Sequence, residues 1–262
     1  TPHSRNYFPS INDADINCSL VRSQEMAPYV ANGILDLGLT GHDWILETES
    51  DVEEICELVY SKSSDQPARW VLVVPKDSPI QSPLDLQGKR IATELVGFTR
   101  RYLADQSIEA TVEFSWGATE AKVVEGLVDA VVEITETGNT IKAHGLRIVC
   151  DLLYTETRLI SNRNAMADPW KRAKIEQIAT LLQAALKARQ KVALKMNVPA
   201  SVLDDVVAIL PSLHAPTVNH LFDREWLAVE TVVDSLDVRD LIPRLRNAGA
   251  EGILEYELRK MV

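Results

Sequence analysis

Short apolar runs alternate with amphipathic stretches along most of this chain, and glycine or a hydroxyl residue separates them. The first segments predict a strand over Asp15–Val21 and a helix from Arg22 to Val30, with Ser23 as its N-cap and Asn32-Gly33 as its stop. A short buried strand follows at Ile34–Leu39, and Thr40-Gly-His-Asp43 turns into a helix at Trp44. Glu47 to Glu54 reads as an acidic, exposed segment. Arg69-Trp-Val-Leu-Val-Val-Pro75 is a continuous apolar strand, the pattern of a sheet covered on both faces. Ser82–Gly88 reads as a capped turn, Lys89–Thr93 and Thr111–Ser115 as strands, Thr99–Gln106 and Glu120–Leu127 as helices. Strands alternating with helices at this spacing predict a mostly parallel α/β sheet.

The centre of the pattern is Asp129-Ala-Val-Val-Glu-Ile-Thr-Glu-Thr-Gly-Asn-Thr140, a buried strand ending in an acid, then a hydroxyl-rich turn and a short helix, Ile141–His144, stopped by Gly145. Such a turn suits a sugar phosphate. Successive backbone amides face the anion, Thr135, Thr137 and Thr140 add hydroxyls, and Glu133 at the strand tip can accept hydrogen bonds from a ribose diol. The same residues also suit a plain strand–turn–helix connection whose threonines cap the helix. An echo strengthens the first reading. Asn32-Gly-Ile-Leu-Asp-Leu-Gly-Leu-Thr-Gly41 parallels Glu125-Gly-Leu-Val-Asp-Ala-Val-Val-Glu-Ile-Thr135, so two lobes built alike imply a cleft between them.

Beyond the centre, Leu146–Cys150 and Glu156–Ile160 are extended pieces placed to return the chain to the first lobe. Asp168–Lys187 is the longest helix by pattern, with Pro169 in its first turn. From about Gln190 the order is strand Lys191–Met196, helix from Ser201 to Ile209, strands Ala215–Leu221 and Trp226–Val233, helix Val238–Ala248 and strand Gly252–Tyr256. That β-α-β-β-α-β order is ferredoxin-like.

Composition narrows the function classes. The chain has 262 residues, 46% of them hydrophobic, which suffices for two or three domains. No apolar run is long enough to span a bilayer, and the opening residues lack a signal-peptide layout. The net charge of −11 excludes nucleic-acid binding by bulk electrostatics. Phosphate must therefore be held by local amides, a few arginines and a metal ion. Cys18, Cys56 and Cys150 are isolated, so neither a zinc site nor a disulfide framework is indicated, and a reducing cytoplasm is the expected compartment. Trp44 and Trp70 read as core, and His42 as exposed and incidental.

Five segments in this order resemble the long-chain ATP phosphoribosyltransferases: Ser4-Arg-Asn-Tyr-Phe-Pro-Ser10, Leu35-Asp-Leu-Gly-Leu-Thr-Gly-His-Asp43, Gly117-Ala-Thr-Glu-Ala-Lys122, Asp129–Thr140 and Gly249-Ala-Glu-Gly-Ile-Leu-Glu-Tyr256. The resemblance implies an α/β fold with a two-lobed, periplasmic-binding-protein-like (type II) catalytic body and a C-terminal ferredoxin-like, ACT-like regulatory domain. The lobes would be residues 1–69 with 164–189, and 70–163, followed by the regulatory domain at 190–262. The family opens with a strand and a basic, glycine-containing loop, whereas this sequence begins after that element. The implied reaction joins N1 of the ATP adenine to C1 of phosphoribosyl pyrophosphate (PRPP) with release of pyrophosphate, at the head of histidine biosynthesis. Glu133 would orient the ribose, with Glu136 as a second candidate, and Thr135, Thr137, Gly138, Asn139 and Thr140 would hold PRPP. Arg5, Arg22, Gly41, Asp43 and Leu95 would meet ATP, with Thr93, Glu94 and Glu120 lining the cleft. Mg2+ would bind mainly through substrate phosphates. Histidine would inhibit by binding Asn197, Leu213, Ala215, Thr217 and Gly252. A homo-oligomer, dimer to hexamer, is expected, with neither nucleic acid nor membrane as partner. The alternative is a non-catalytic two-lobed solute-binding or ligand-sensing protein.

Overall fold

The computed structural model describes residues 7–59, 67–211 and 215–262. The chain divides into two compact units, one up to Glu176 and one from Gln177.

In the first unit the elements run α1 (Ser23–Ala31), β1 (Leu37–Gly41), α2 (His42–Thr48), β2 (Glu53–Leu58), β3 (Ala68–Pro75), β4 (Arg90–Thr93), α3 (Val96–Asp105), β5 (Thr111–Phe114), α4 (Thr119–Val124), β6 (Ala130–Thr135), α5 (Asn139–Ala143), β7 (Leu146–Thr155), β8 (Thr157–Ser161) and α6 (Arg163–Ala167). Helix α7 (Pro169–Arg189) carries the chain onward. The two lobes have separate sheets: β1-β8-β2 in the first, β5-β4-β6-β3-β7 in the second. In the second lobe β3 alternates its side chains between two cores. Trp70, Leu72 and Val74 pack on one face with Ile91, Leu95 and Leu103, while Val71 and Val73 pack on the other with Val131 and Ile141. Both faces are covered, which is why β3 reads as an unbroken apolar run.

A mostly parallel sheet was expected; the sheets are mixed. β4 runs parallel to β5 and β6, but β3 is antiparallel to β6 and β7, and the first-lobe sheet is antiparallel throughout. The reason is connectivity. β6, α5 and β7 form a helical crossover whose two strands run the same way, and β3, which brings the chain into the lobe, lies antiparallel between them.

Several local expectations shift. Asp15–Val21 forms no strand. Arg22, with extended φ and ψ, occupies the N-cap position of α1, and Ser23 is already helical with its hydroxyl on Gln24. β1 begins at Leu37 rather than Ile34. The segment Glu47–Glu54 is not simply a solvated acidic loop, because Glu47 lies in α2 and β2 starts at Glu53.

The second unit contains β9 (Lys191–Pro199), α8 (Leu203–Ile209), β10 (Thr217–His220), β11 (Trp226–Asp234), α9 (Val238–Asn247) and β12 (Glu251–Glu257). Its antiparallel sheet has the order β10-β11-β9-β12, the ferredoxin-like arrangement. Val192, Leu194, Met196 and Val198 alternate from β9 onto α8 and α9, meeting Val206, Leu241 and Leu245.

Candidate active site

Three parallel strands end together in the second lobe. Glu94 follows β4, Ser115 follows β5, and Glu133 lies on β6 one residue past Val132, the last β6 residue paired with β4. Ligand crevices in α/β sheets form outside such carboxyl ends. Here the crevice carries acid. The Glu133 carboxyl is raised from 4.5 to about 7, first by burial and then by repulsion from Glu120 and Glu94, while the Ile134 backbone and the Thr119 side chain hold it back. The group is thus poised at neutral pH, half ionised and half-buried, the state in which a carboxyl can take ribose hydroxyls as an acceptor.

The turn after Glu133 is folded by its own threonines. Thr135 Oγ1 accepts the Gly138 amide at 2.8 Å, and Thr137 Oγ1 accepts the Asn139 amide at 3.4 Å. Gly138 has φ +74 and caps the five-residue α5, a conformation that favours glycine. The capping and ligand-holding readings of these threonines are therefore compatible: each hydroxyl that accepts an amide still has its own proton to donate outward. Thr137, Asn139 and Thr140 are exposed, and Thr135 and Glu136 are half-buried.

In the first lobe, α2 opens at the Gly41–Asp43 corner. A Cβ on Gly41 would stand 2.0 Å from Asp43 Oδ1, so only glycine fits beside that carboxylate. Asp43 itself is 3% exposed. Its Oδ2 accepts the Trp70 indole N–H at 2.7 Å, its Oδ1 accepts the Trp44 amide, and its own amide donates to Thr155 Oγ1. The carboxylate thus ties α2 to β3, the Asp43 amide ties it to β7, and Trp44 packs edge-on against Trp70. Leu95 is fully buried, its amide donating to Thr93 Oγ1 at 3.1 Å and its carbonyl accepting the Thr99 amide, so it is not turned toward a ligand. Arg22 is exposed, and its guanidinium lies 5.1 Å from the Trp116 ring centroid, reaching from the first lobe to the loop beside Glu120. Arg5 lies outside the described residues.

Several residues here escaped the sequence pattern. Glu47 reaches from α2 to the first turn of α3, where its two oxygens accept the Gly97 and Phe98 amides at 2.8 and 2.7 Å. Ser115 and Thr119 are both 1% exposed and hydrogen-bonded to each other at 3.1 Å. Trp116, 58% exposed, sits at the mouth. The Gly117-Ala-Thr-Glu segment pointed at the right region but not at these partners.

In the second unit Asn197 and Gly252 are brought together: a Cβ on Gly252 would be 3.6 Å from Asn197 Nδ2. Thr217 opens β10, two strands away from β9 and about 10 Å off by strand spacing, with Ala215 just before it. Leu213 lies outside the described residues.

Comparison with known proteins decides what this geometry belongs to. The ATP phosphoribosyltransferase family model matches residues 22–184, and the model of that family's C-terminal domain matches residues 188–260. The chain belongs to the ATP phosphoribosyltransferase family. It is similar to the ATP phosphoribosyltransferase of Desulfatibacillum aliphaticivorans, at 62% identity over 260 residues, 99% of this chain and 89% of that protein. The ATP phosphoribosyltransferase of Geotalea uraniireducens is 58% identical over 259 residues, again 99% and 89%. Among solved structures it is similar to the ATP phosphoribosyl transferase (HisG:HisZ) complex from Thermotoga maritima, with a TM-score of 0.60 and 28% identity over 69% of this chain and 87% of that one. Family members are pentosyltransferases of histidine biosynthesis and use a metal ion. The extra C-terminal domain makes this the long form.

Proposed function

We propose that this protein transfers the phosphoribosyl group of PRPP to N1 of the ATP adenine, releasing pyrophosphate. The observation that carries the reading is the meeting of a carboxyl poised near neutrality, Glu133, with the threonine-folded turn Thr135–Thr140 at the ends of three parallel strands. The 5′-phosphate is assigned to the turn Thr137, Gly138, Asn139 and Thr140, where the exposed Thr137 and Thr140 hydroxyls donate to it and the Gly138 and Asn139 amides hold the turn in shape. Glu133, backed by Glu136, accepts the ribose hydroxyls. The anionic diphosphate is repelled by Glu94, Glu120 and Glu133 and turns toward the first lobe, where Arg22 supplies a cation suited to phosphate oxygens. Gly41 and, through its fold-holding bonds, Asp43 shape the ATP side, joined by Arg5.

Adenine N1 is already a nucleophile. As the C1–O bond to pyrophosphate breaks, positive charge grows on the ribose ring and the ionised Glu133 stabilises it. The rest of the barrier is lowered by holding N1 and C1 in line. Among the described residues no group of three or more His, Cys, Asp or Glu is placed to hold a metal ion. Mg2+ would be held mainly by the diphosphate oxygens of the substrate, where it would offset that group's charge.

The catalytic lobes are 1–69 with 164–189, and 70–163; residues 190–262 form the regulatory domain, binding histidine through Asn197, Leu213, Ala215, Thr217 and Gly252. The protein works in the cytoplasm, in keeping with its free thiols, as a homo-oligomer between dimer and hexamer. Calorimetric titration with PRPP tests the pocket. Thr137→Val is expected to weaken PRPP binding about tenfold, the effect of one lost hydrogen bond to a charged group, with ATP affinity unmoved. Unchanged PRPP affinity contradicts the phosphate assignment.

A further inference from the structure

The loop from β5 to α4 holds a tryptophan outward. Trp116 is 58% exposed, yet the turn that carries it is fixed on both sides. Before it, the Ser115 amide donates to the Thr93 carbonyl of β4 at 2.9 Å. After it, Thr119 opens α4, and its hydroxyl is hydrogen-bonded to the buried Ser115 hydroxyl at 3.1 Å. Between them Gly117 and Ala118 are left-handed in succession, with φ +64 and +48. Glycine adopts this freely, but alanine does so at a cost. Phe114, also exposed, sets its ring 6.1 Å from that of Trp116. The indole is thus presented to solvent by a constrained turn.

Arg22 comes to this ring from the other lobe. As the N-cap residue of α1 its backbone is held: its carbonyl accepts the Glu25 amide at 3.0 Å, and the Ser23 carbonyl accepts the Thr40 hydroxyl of β1 at 2.7 Å. Its guanidinium carbon lies over the Trp116 ring, 5.1 Å from the centroid. Among the described residues no acid pairs with this guanidinium and no acceptor takes its N–H groups, in a chain whose net charge is −11. The difference matters chemically. A carboxylate partner would neutralise the cation and occupy its donors. The face of an indole attracts the cation but consumes none of its five N–H groups.

We propose that Trp116 is the positioning residue of Arg22: its ring face holds the guanidinium in place with the donors uncommitted, so that they are ready for the diphosphate oxygens of PRPP. This rests on the reading of Arg22 as the cation that meets the diphosphate. Without the ring, a long and exposed side chain must be ordered at the moment of binding, and that entropy is lost from the affinity. The role belongs to the aromatic face, not to the indole N–H, so another aromatic ring can fill it.

The test is a double-mutant cycle read by calorimetric titration of the full chain with PRPP. Both side chains are exposed, so neither substitution opens a core. Arg22→Ala is expected to weaken PRPP binding about tenfold or more, as loss of a charged donor does. Trp116→Leu is expected to weaken it about fivefold, and Trp116→Phe, which keeps a ring face, by about twofold or less. In the Arg22→Ala background Trp116→Leu is expected to cost nothing further, because the ring acts only through the cation. An equal loss from Trp116→Leu with and without Arg22 overturns the proposal, since the ring then acts independently of the cation. A loss in Trp116→Phe as large as in Trp116→Leu overturns it as well. The parent reading is separated by Arg22→Ala. Weakened binding in Arg22→Ala with unchanged binding in Trp116→Leu sinks the positioning role alone, whereas unchanged binding in Arg22→Ala sinks both.

Discussion

Glu133 is a carboxyl kept where it is uncomfortable. Its ionisation is raised from 4.5 to about 7 chiefly by burial. The folded state therefore holds a proton that the unfolded chain has already released, and stability falls as pH rises between those two values. The upper limit of the effect is about 3 kcal/mol at pH 8. Glu133→Gln removes the charge, so its melting temperature is expected to exceed that of the parent at pH 8 and to match it at pH 4; equal melting curves at both pH values contradict the burial. Not all of this was legible in the sequence. The acid at a strand tip is visible in Asp129–Thr140, but its neighbours are not. Glu94, Thr119 and Glu120 come from two other elements, and only the sheet order brings them to β6. Asp43 is the converse case. From the sequence it reads as a ligand at a loop corner, yet the indole of Trp70, 27 positions away, takes one of its oxygens.

At the scale of elements, the apolar pattern located most helices and strands because burial dictates periodicity. It failed where other forces decide. β2 carries Glu53, Glu54 and Glu57, and its charge reads as loop; it is a strand because it pairs with β8, where Arg158 bonds Glu54 and Glu57. The antiparallel direction of β3 likewise follows from where the chain enters the lobe rather than from its side chains. The start of α3 was placed three residues late because its cap comes from another element. Glu47 satisfies the Gly97 and Phe98 amides from α2, joining the lobes at the same time, and Arg101 answers by bonding the Leu46 carbonyl and Glu49. Glu47→Ala leaves two helix-terminal donors unmade and removes an anion from the positive end of α3. A loss of about 1–3 kcal/mol is expected in denaturant titration. A loss below about 0.5 kcal/mol in the same titration contradicts a bonded interlobe cap, being the size of an ordinary surface change.

At the scale of the molecule, both units were legible: the lobes from the repeated Gly–apolar–Asp pattern, the ferredoxin-like unit from its alternating strands. Function was less so. A net charge of −11 argues against nucleic-acid binding by bulk electrostatics but does not name a substrate, and the five family segments did that. The regulatory proposal follows from the second unit, where Gly252, at φ +57, lies against Asn197. Histidine is expected to inhibit without competing with PRPP, and Asn197→Ala to weaken that inhibition at least about fivefold; inhibition unchanged in the variant contradicts the assigned site. The reaction itself is tested most directly by pyrophosphate release from ATP and PRPP with Mg2+, comparing the protein with Glu133→Gln. Release that needs both substrates and falls by about a hundredfold or more in the variant is expected from loss of a charge that stabilises the ribosyl cation. Equal release from the two proteins contradicts the site, and binding without release contradicts the transferase.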